Sequence, residues 1–140
     1  MNGDTTNGLL HRIAFIGTYS QQIFIMIGIN DIAQHNDVEM IFSNYINILQ
    51  KLKEMNYLTY VQSTLYVGNN FSSKTINTQV TQLNKKLHDY CLKNEIEFID
   101  LNTILAPNNF LDTKFTNDGV HLNGLAYQLW ADTIKKYFMQ

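Results

Sequence analysis

Gln22-Ile23-Phe24-Ile25-Met26-Ile27-Gly28-Ile29-Asn30-Asp31 is the stretch on which the fold turns. Its first part is a near-continuous apolar run closed by a glycine, the pattern of a strand buried on both faces. It is too short to span a bilayer. Asp37 then stands ready to cap a helix whose apolar positions Val38, Ile41, Phe42, Tyr45, Ile48, Leu49, Leu52 and Met55 follow the helical period.

Working outward, strand and helix patterns alternate. Leu9, Leu10 and Ile13 predict a short helix before the strand. Leu58 to Val67, rich in β-branched and aromatic residues, predicts a second strand. Ile76, Val80, Leu83, Leu87, Tyr90 and Cys91 mark an amphipathic helix, Ile96 to Leu101 a third strand, and Asn123 to Phe138 a closing helix carrying Leu125, Leu129, Trp130 and Ile134. Helices between strands imply right-handed crossovers and a parallel sheet covered on both sides, a three-layer α/β/α architecture of flavodoxin-like type. Ligands on such sheets bind beyond the carboxyl ends of the strands. Asn30 and the Asp118-Gly119-Val120-His121 stretch both fall there.

The 140 residues, 45% hydrophobic, suit one domain with a single core. A formal charge of −2 with scattered Lys and Arg argues against nucleic acid or an anionic membrane as partner. Cys91 is the one cysteine, so no internal disulfide forms, and its place in an apolar stripe makes it a core residue. No signal peptide is visible after Met1, which would place the chain in the cytoplasm if Met1 is the true start. His11, His35 and His88 do not group at metal-ligand spacing, and neither a metal nor a cofactor is expected.

His121 is a candidate general base, since an imidazole exchanges protons near neutrality. Asp118 could accept its N–H and fix its tautomer. The plain alternative is a turn at Asp118-Gly119 followed by a helix start, and Asp-x-x-His alone favours that alternative. Asn30 could donate to an oxyanion above the sheet, a contribution of about 3–4 kcal/mol in well-studied enzymes. Gly28 lets the chain turn sharply. For Gly28 and Asn30 the alternative is a common strand-to-loop turn, and for Asp31 a helix cap. Gly3, opening Gly3-Asp4-Thr5-Thr6, offers a backbone N–H at a helix start. No Gly-Lys-Ser/Thr follows it, and no glycine-rich phosphate loop follows a strand, which disfavours an unrelated nucleotide-binding flavodoxin-like domain.

In this order the segments resemble the SGNH (GDSL-like) hydrolases, a family of serine esterases, lipases and acetyl-ester hydrolases. Asn2 to Thr6 with Gly8-Leu9-Leu10 and Arg12 is similar to the family's second block. Gly28-Ile29-Asn30-Asp31 resembles the third, and Asp118 to Asn123 the fifth. The resemblance implies that Gly3 and Asn30 form the oxyanion hole, that His121 is the base, and that Asp118 orients it, with Gly28 and Asp31 supporting. It implies hydrolysis of a small acylated substrate, either an acetyl ester of a carbohydrate or a lysophospholipid-like ester.

The family's first block, Gly-Asp-Ser on a central strand, has no counterpart here. Ser20, Ser63 and Thr64 do not suit the role: Ser20 precedes a strand at the far end, and Ser63 and Thr64 belong to core or pocket wall. Residues 1–140 are therefore expected to be an SGNH domain whose N-terminal strands are missing, the fragment of a longer gene product. The opposing expectation is a complete, non-catalytic binding module. In either case the strand over residues 22–27 would become an open edge through which the chain could self-associate.

Overall fold

The computed structural model describes residues 5–6, 22–69 and 73–138. The helix predicted around Leu9 to Ile13, together with Gly3 and Ser20, lies outside the described residues. Three strands, β1 (Gln22–Ile25), β2 (Leu58–Gln62) and β3 (Glu97–Ile99), form a parallel sheet in the order β1-β2-β3. Ile25 lies opposite Val61, and Val61 opposite Phe98. Between and after the strands come α1 (Ile29–Ala33), α2 (Val38–Glu54), α3 (Ser73–Lys93), α4 (Asn102–Leu105) and α5 (Gly124–Ile134).

The long helices form where the apolar periodicity places them. Asp37 accepts from Glu39 N–H and caps α2, whose Val38, Ile41, Tyr45, Ile48, Leu49 and Leu52 are buried. Each such fully buried aliphatic side chain is worth about 1.5–3 kcal/mol over an exposed one. The helix ends through Asn56, which takes the left-handed conformation at φ 64° that asparagine tolerates. On α3, Val80, Leu83, Leu87 and Cys91 are fully buried. Burial pushes the Cys91 thiol up to about 12, so it is an inert core group.

Strand alternation sorts the core into two layers. Ile25, Ile27 and Val61 pack with α2 and α3, as does the partly buried Ile23. Phe24, Met26 and Tyr60 face the other way, toward Trp130 and Ile134 of α5. This second face is less covered: Tyr127 is 45% exposed and Phe138 50%. Beyond β2, β1 pairs with no other described strand.

Two expectations need correction in detail. The second strand ends at Gln62 rather than Val67: Ser63 N–H still donates to Ile99 C=O of β3, but beyond it Thr64, Tyr66 and Val67 bond to side-chain amides. Asp31 is not a helix cap. The residue before α1 is Gly28, and Asp31 lies inside the helix, buried.

Candidate active site

Gly28 begins the site. Its φ of 126° belongs to glycine, and a Cβ there would stand 2.8 Å from Leu83 Cδ2 and 3.0 Å from Thr64 Oγ1. This close approach turns the chain from β1 into α1 and presents Asn30 at the carboxyl end of the sheet. Asn30 therefore sits in the first turn of a short helix rather than on a strand end.

Asp31, 0% exposed, faces inward. Its carboxylate accepts the Thr6 N–H at 2.9 and 3.2 Å and the Thr6 hydroxyl at 2.8 Å. Asn44 of α2 donates to the same hydroxyl oxygen at 3.3 Å. A buried carboxylate thus ties the segment that follows Gly3 in sequence to the turn that carries Asn30. The sequence marks Asp31 but gives no sign of Thr6 or Asn44 as its partners, since nothing in their spacing links three distant segments.

Asp118 and His121 lie in the loop before α5. His121 Nδ1 is 2.6 Å from Asp118 Oδ2. Asp118 Oδ1 accepts from the N–H groups of Val120 and His121, both at 2.8 Å. These bonds, the His121 backbone N–H first, then the imidazole, hold the carboxyl well below the usual carboxylate range. Thr116 steadies the loop, its hydroxyl accepting from Gly119 N–H at 2.9 Å. The His121 side chain is 83% exposed, and its Nε2 bonds to no described residue, so the far side of the ring is open to a reacting group.

A cleft of about 350 Å³ joins these parts, with Gly28 and Asn30 on one side and Val120 and His121 on another. Its floor is the run 64–67, which follows β2. Asn84 pairs reciprocally with Thr64 N–H and C=O, both at 2.8 Å, and Asn77 does the same with Val67 at 2.9 and 3.0 Å. Asn102 donates to Thr64 C=O and accepts from Tyr66 N–H. These side-chain amides replace a neighbouring strand. Gly68 N–H then donates to Gly119 C=O at 2.7 Å, joining floor to histidine loop. Sequence reading missed all three asparagines, because an asparagine in a helix looks like surface.

The hydroxyls near the floor are committed. Ser63, 0% exposed, accepts from Leu101 N–H at 3.0 Å, and Thr64 donates to Ile27 C=O at 2.9 Å. His88 is exposed against the Phe98 ring, and His35 ends α1 in the left-handed conformation. Among the described residues no three His, Cys, Asp or Glu side chains group to hold a metal ion, and no helix is long and apolar enough to cross a membrane.

Residues 1–129 match the GDSL-like lipase/acylhydrolase family. The chain belongs to that family. Over 131 residues, 86% of this chain, it is 30% identical to an N-acylneuraminate cytidylyltransferase of Streptococcus agalactiae serotype V. This chain spans about 30% of the length of the curated relatives it matches. Among solved structures, a GDSL-like lipase from Bacteroides thetaiotaomicron superposes with a TM-score of 0.87 at 22% identity, covering 96% of this chain and 71% of that one. An acetyl xylan esterase superposes at 0.81 and 19%, covering 99% and 78%. The GDSL-like acylhydrolase fold is thus the three-layer parallel α/β architecture that the strand and helix patterns predict.

Proposed function

We propose that the cleft hydrolyses a short acyl ester carried on an N-acylated sugar, with His121 as general base, Asp118 as its orienting acid, and Asn30 with Gly3 as oxyanion donors. The observation that carries this reading is the 2.6 Å contact between His121 Nδ1 and Asp118 Oδ2, at a cleft that Asn30 also lines. An ionised Asp118 on Nδ1 keeps the proton there and leaves Nε2 as the acceptor that faces the reaction. The family supports ester hydrolysis as the chemistry. The streptococcal relative is named for work on an N-acylneuraminate, an acylated sugar, which favours a carbohydrate ester over a lysophospholipid.

The described serine and threonine hydroxyls at the cleft are sealed or bonded, so the nucleophile is a serine supplied from outside the described residues, on a strand laid against the edge of β1 that pairs with no described strand. Its Oγ attacks the ester carbonyl while the proton passes to His121 Nε2. The leaving alcohol takes that proton as the carbon–oxygen bond breaks. Water then attacks the acyl-serine, giving its proton to His121, and the serine leaves protonated with release of the acid.

The test is a graft that gives this chain the N-terminal Gly-Asp-Ser segment of a family member, assayed on an acetylated sugar ester. Hydrolysis is expected, and His121→Ala should lower kcat by about 10²–10⁴-fold, the usual worth of a positioned acid–base. Unchanged turnover in that variant sinks the assignment. A second reading, a binding module that self-associates through residues 22–27, draws on the partly buried Ile23, Phe24 and Met26 of the β1 edge. It predicts an inert graft and a dimer of the unmodified chain in sedimentation.

A further inference from the structure

The wall of the cleft is mostly apolar, with Phe24, Met26, Trp130 and Ile134 along it, yet it carries hydrogen-bonding groups that no described residue uses. Gln62 is the first. It is 2% exposed and lines the cleft from the end of β2. The Trp130 indole N–H donates to Gln62 Oε1 at 2.5 Å. An indole nitrogen is a donor only, so the carboxamide must turn its oxygen toward Trp130. The amide nitrogen, with two N–H groups, is left on the other side, and it donates to no described residue.

Leu65 is the second. Thr64 N–H and C=O, Tyr66 N–H, and both polar groups of Val67 are taken by Asn84, Asn102 and Asn77. The polar groups of Leu65, between them, bond to no described residue. Leu65 also lines the cleft. Backbone groups this close to a packed interior are almost always paired, with protein, water or ligand.

We propose that Gln62, through its carboxamide N–H, and Leu65, through its backbone N–H and C=O, determine specificity, selecting a substrate rich in hydroxyl and amide groups over one rich in hydrocarbon. The inference rests on the reading of this cleft as the ester site and narrows its substrate. An N-acyl carbonyl or a ring oxygen would accept from Gln62 or from Leu65 N–H, and a sugar hydroxyl would donate to Leu65 C=O. A lipid chain in the same place would strip water from all three and return nothing.

The experiment is a nuclear magnetic resonance titration of the ¹⁵N-labelled 140-residue chain, with N-acetylneuraminic acid and, separately, a short-chain lysophospholipid below its micellar concentration. The sugar should shift the Leu65 amide and the Gln62 side-chain amide pair, and Gln62→Leu should weaken its binding by about tenfold. If that variant does not fold, the two resonances of the unaltered chain decide. Lysophospholipid binding should tighten in Gln62→Leu; sugar binding that leaves both resonances unmoved, no sugar binding at all, or lysophospholipid binding tighter than sugar binding in the unaltered chain overturns the proposal. The esterase reading fails separately, on an inert graft, because the titration requires no turnover.

Discussion

Removing the carboxylate of Asp31 should loosen the molecule well beyond what a surface polar change does. Asp31 is 0% exposed, and so is Thr6, whose N–H and hydroxyl both donate to it. In Asp31→Ala both donors remain buried without an acceptor, at about 1–3 kcal/mol each. Part of the hydroxyl's loss is recoverable by rotation, so a net destabilisation of about 3–4 kcal/mol is expected. Asp31→Asn keeps the shape and one acceptor oxygen but turns an NH₂ toward a donor, for about 1–2 kcal/mol. Urea unfolding reads both: with a slope near 2 kcal/mol/M, the alanine variant's midpoint should fall by roughly 1.5–2 M. Thr6→Val supplies the control. Because the two residues share the same bonds, the double variant should be less damaging than the sum by about 1–2 kcal/mol. Strict additivity, or an Asp31→Ala midpoint within error of the parent, would refute the tie between the N-terminal segment and the Asn30 turn.

Gly28→Ala should destabilise by about 2–4 kcal/mol, combining a strained φ with overpacking, since the new methyl meets Leu83 at 2.8 Å and Leu83 is fully buried. Thermal melting of Gly28→Ala with and without Leu83→Ala checks this, and a clash at that side chain requires the pair to be less than additive. Asp118 has its carboxyl held below the ordinary value by the His121 and Val120 hydrogen bonds. A group depressed in the folded state stabilises above the ordinary carboxylate range and loses that contribution as pH falls through its folded value. The ¹³C resonance of Asp118 should therefore titrate well below the reference of about 3.9, and an ordinary midpoint would contradict the geometry.

The fold was legible because it depends on periodicity. Ile41, Tyr45, Ile48 and Leu52 on α2, and Val80, Leu83 and Leu87 on α3, recur at helical spacing and are buried where that spacing puts them. The run from Gln22 to Ile27 announces a strand packed on both faces, and Ile25 and Phe24 do pack into opposite layers. Asp118 and His121 were legible for a related reason: they are three residues apart, so local chain geometry alone can bring them together, and it does at 2.6 Å.

What the sequence could not disclose are the contacts between segments distant along the chain. Leu58 to Val67 reads as one strand, yet only Leu58–Gln62 pairs as one, because beyond β2 the partners are side-chain amides of Asn77, Asn84 and Asn102. An asparagine's hydrogen-bonding capacity carries no direction until tertiary packing supplies one. The same holds for Asp31, which local pattern assigns to a helix cap and packing assigns to Thr6. Amino-acid order by itself determined the layers, the order of elements and the Asp118–His121 pair, through periodic burial and short-range geometry. Only the folded arrangement decided how the cleft floor is held and where Gln62 turns its amide, since these depend on atoms that share space but not sequence.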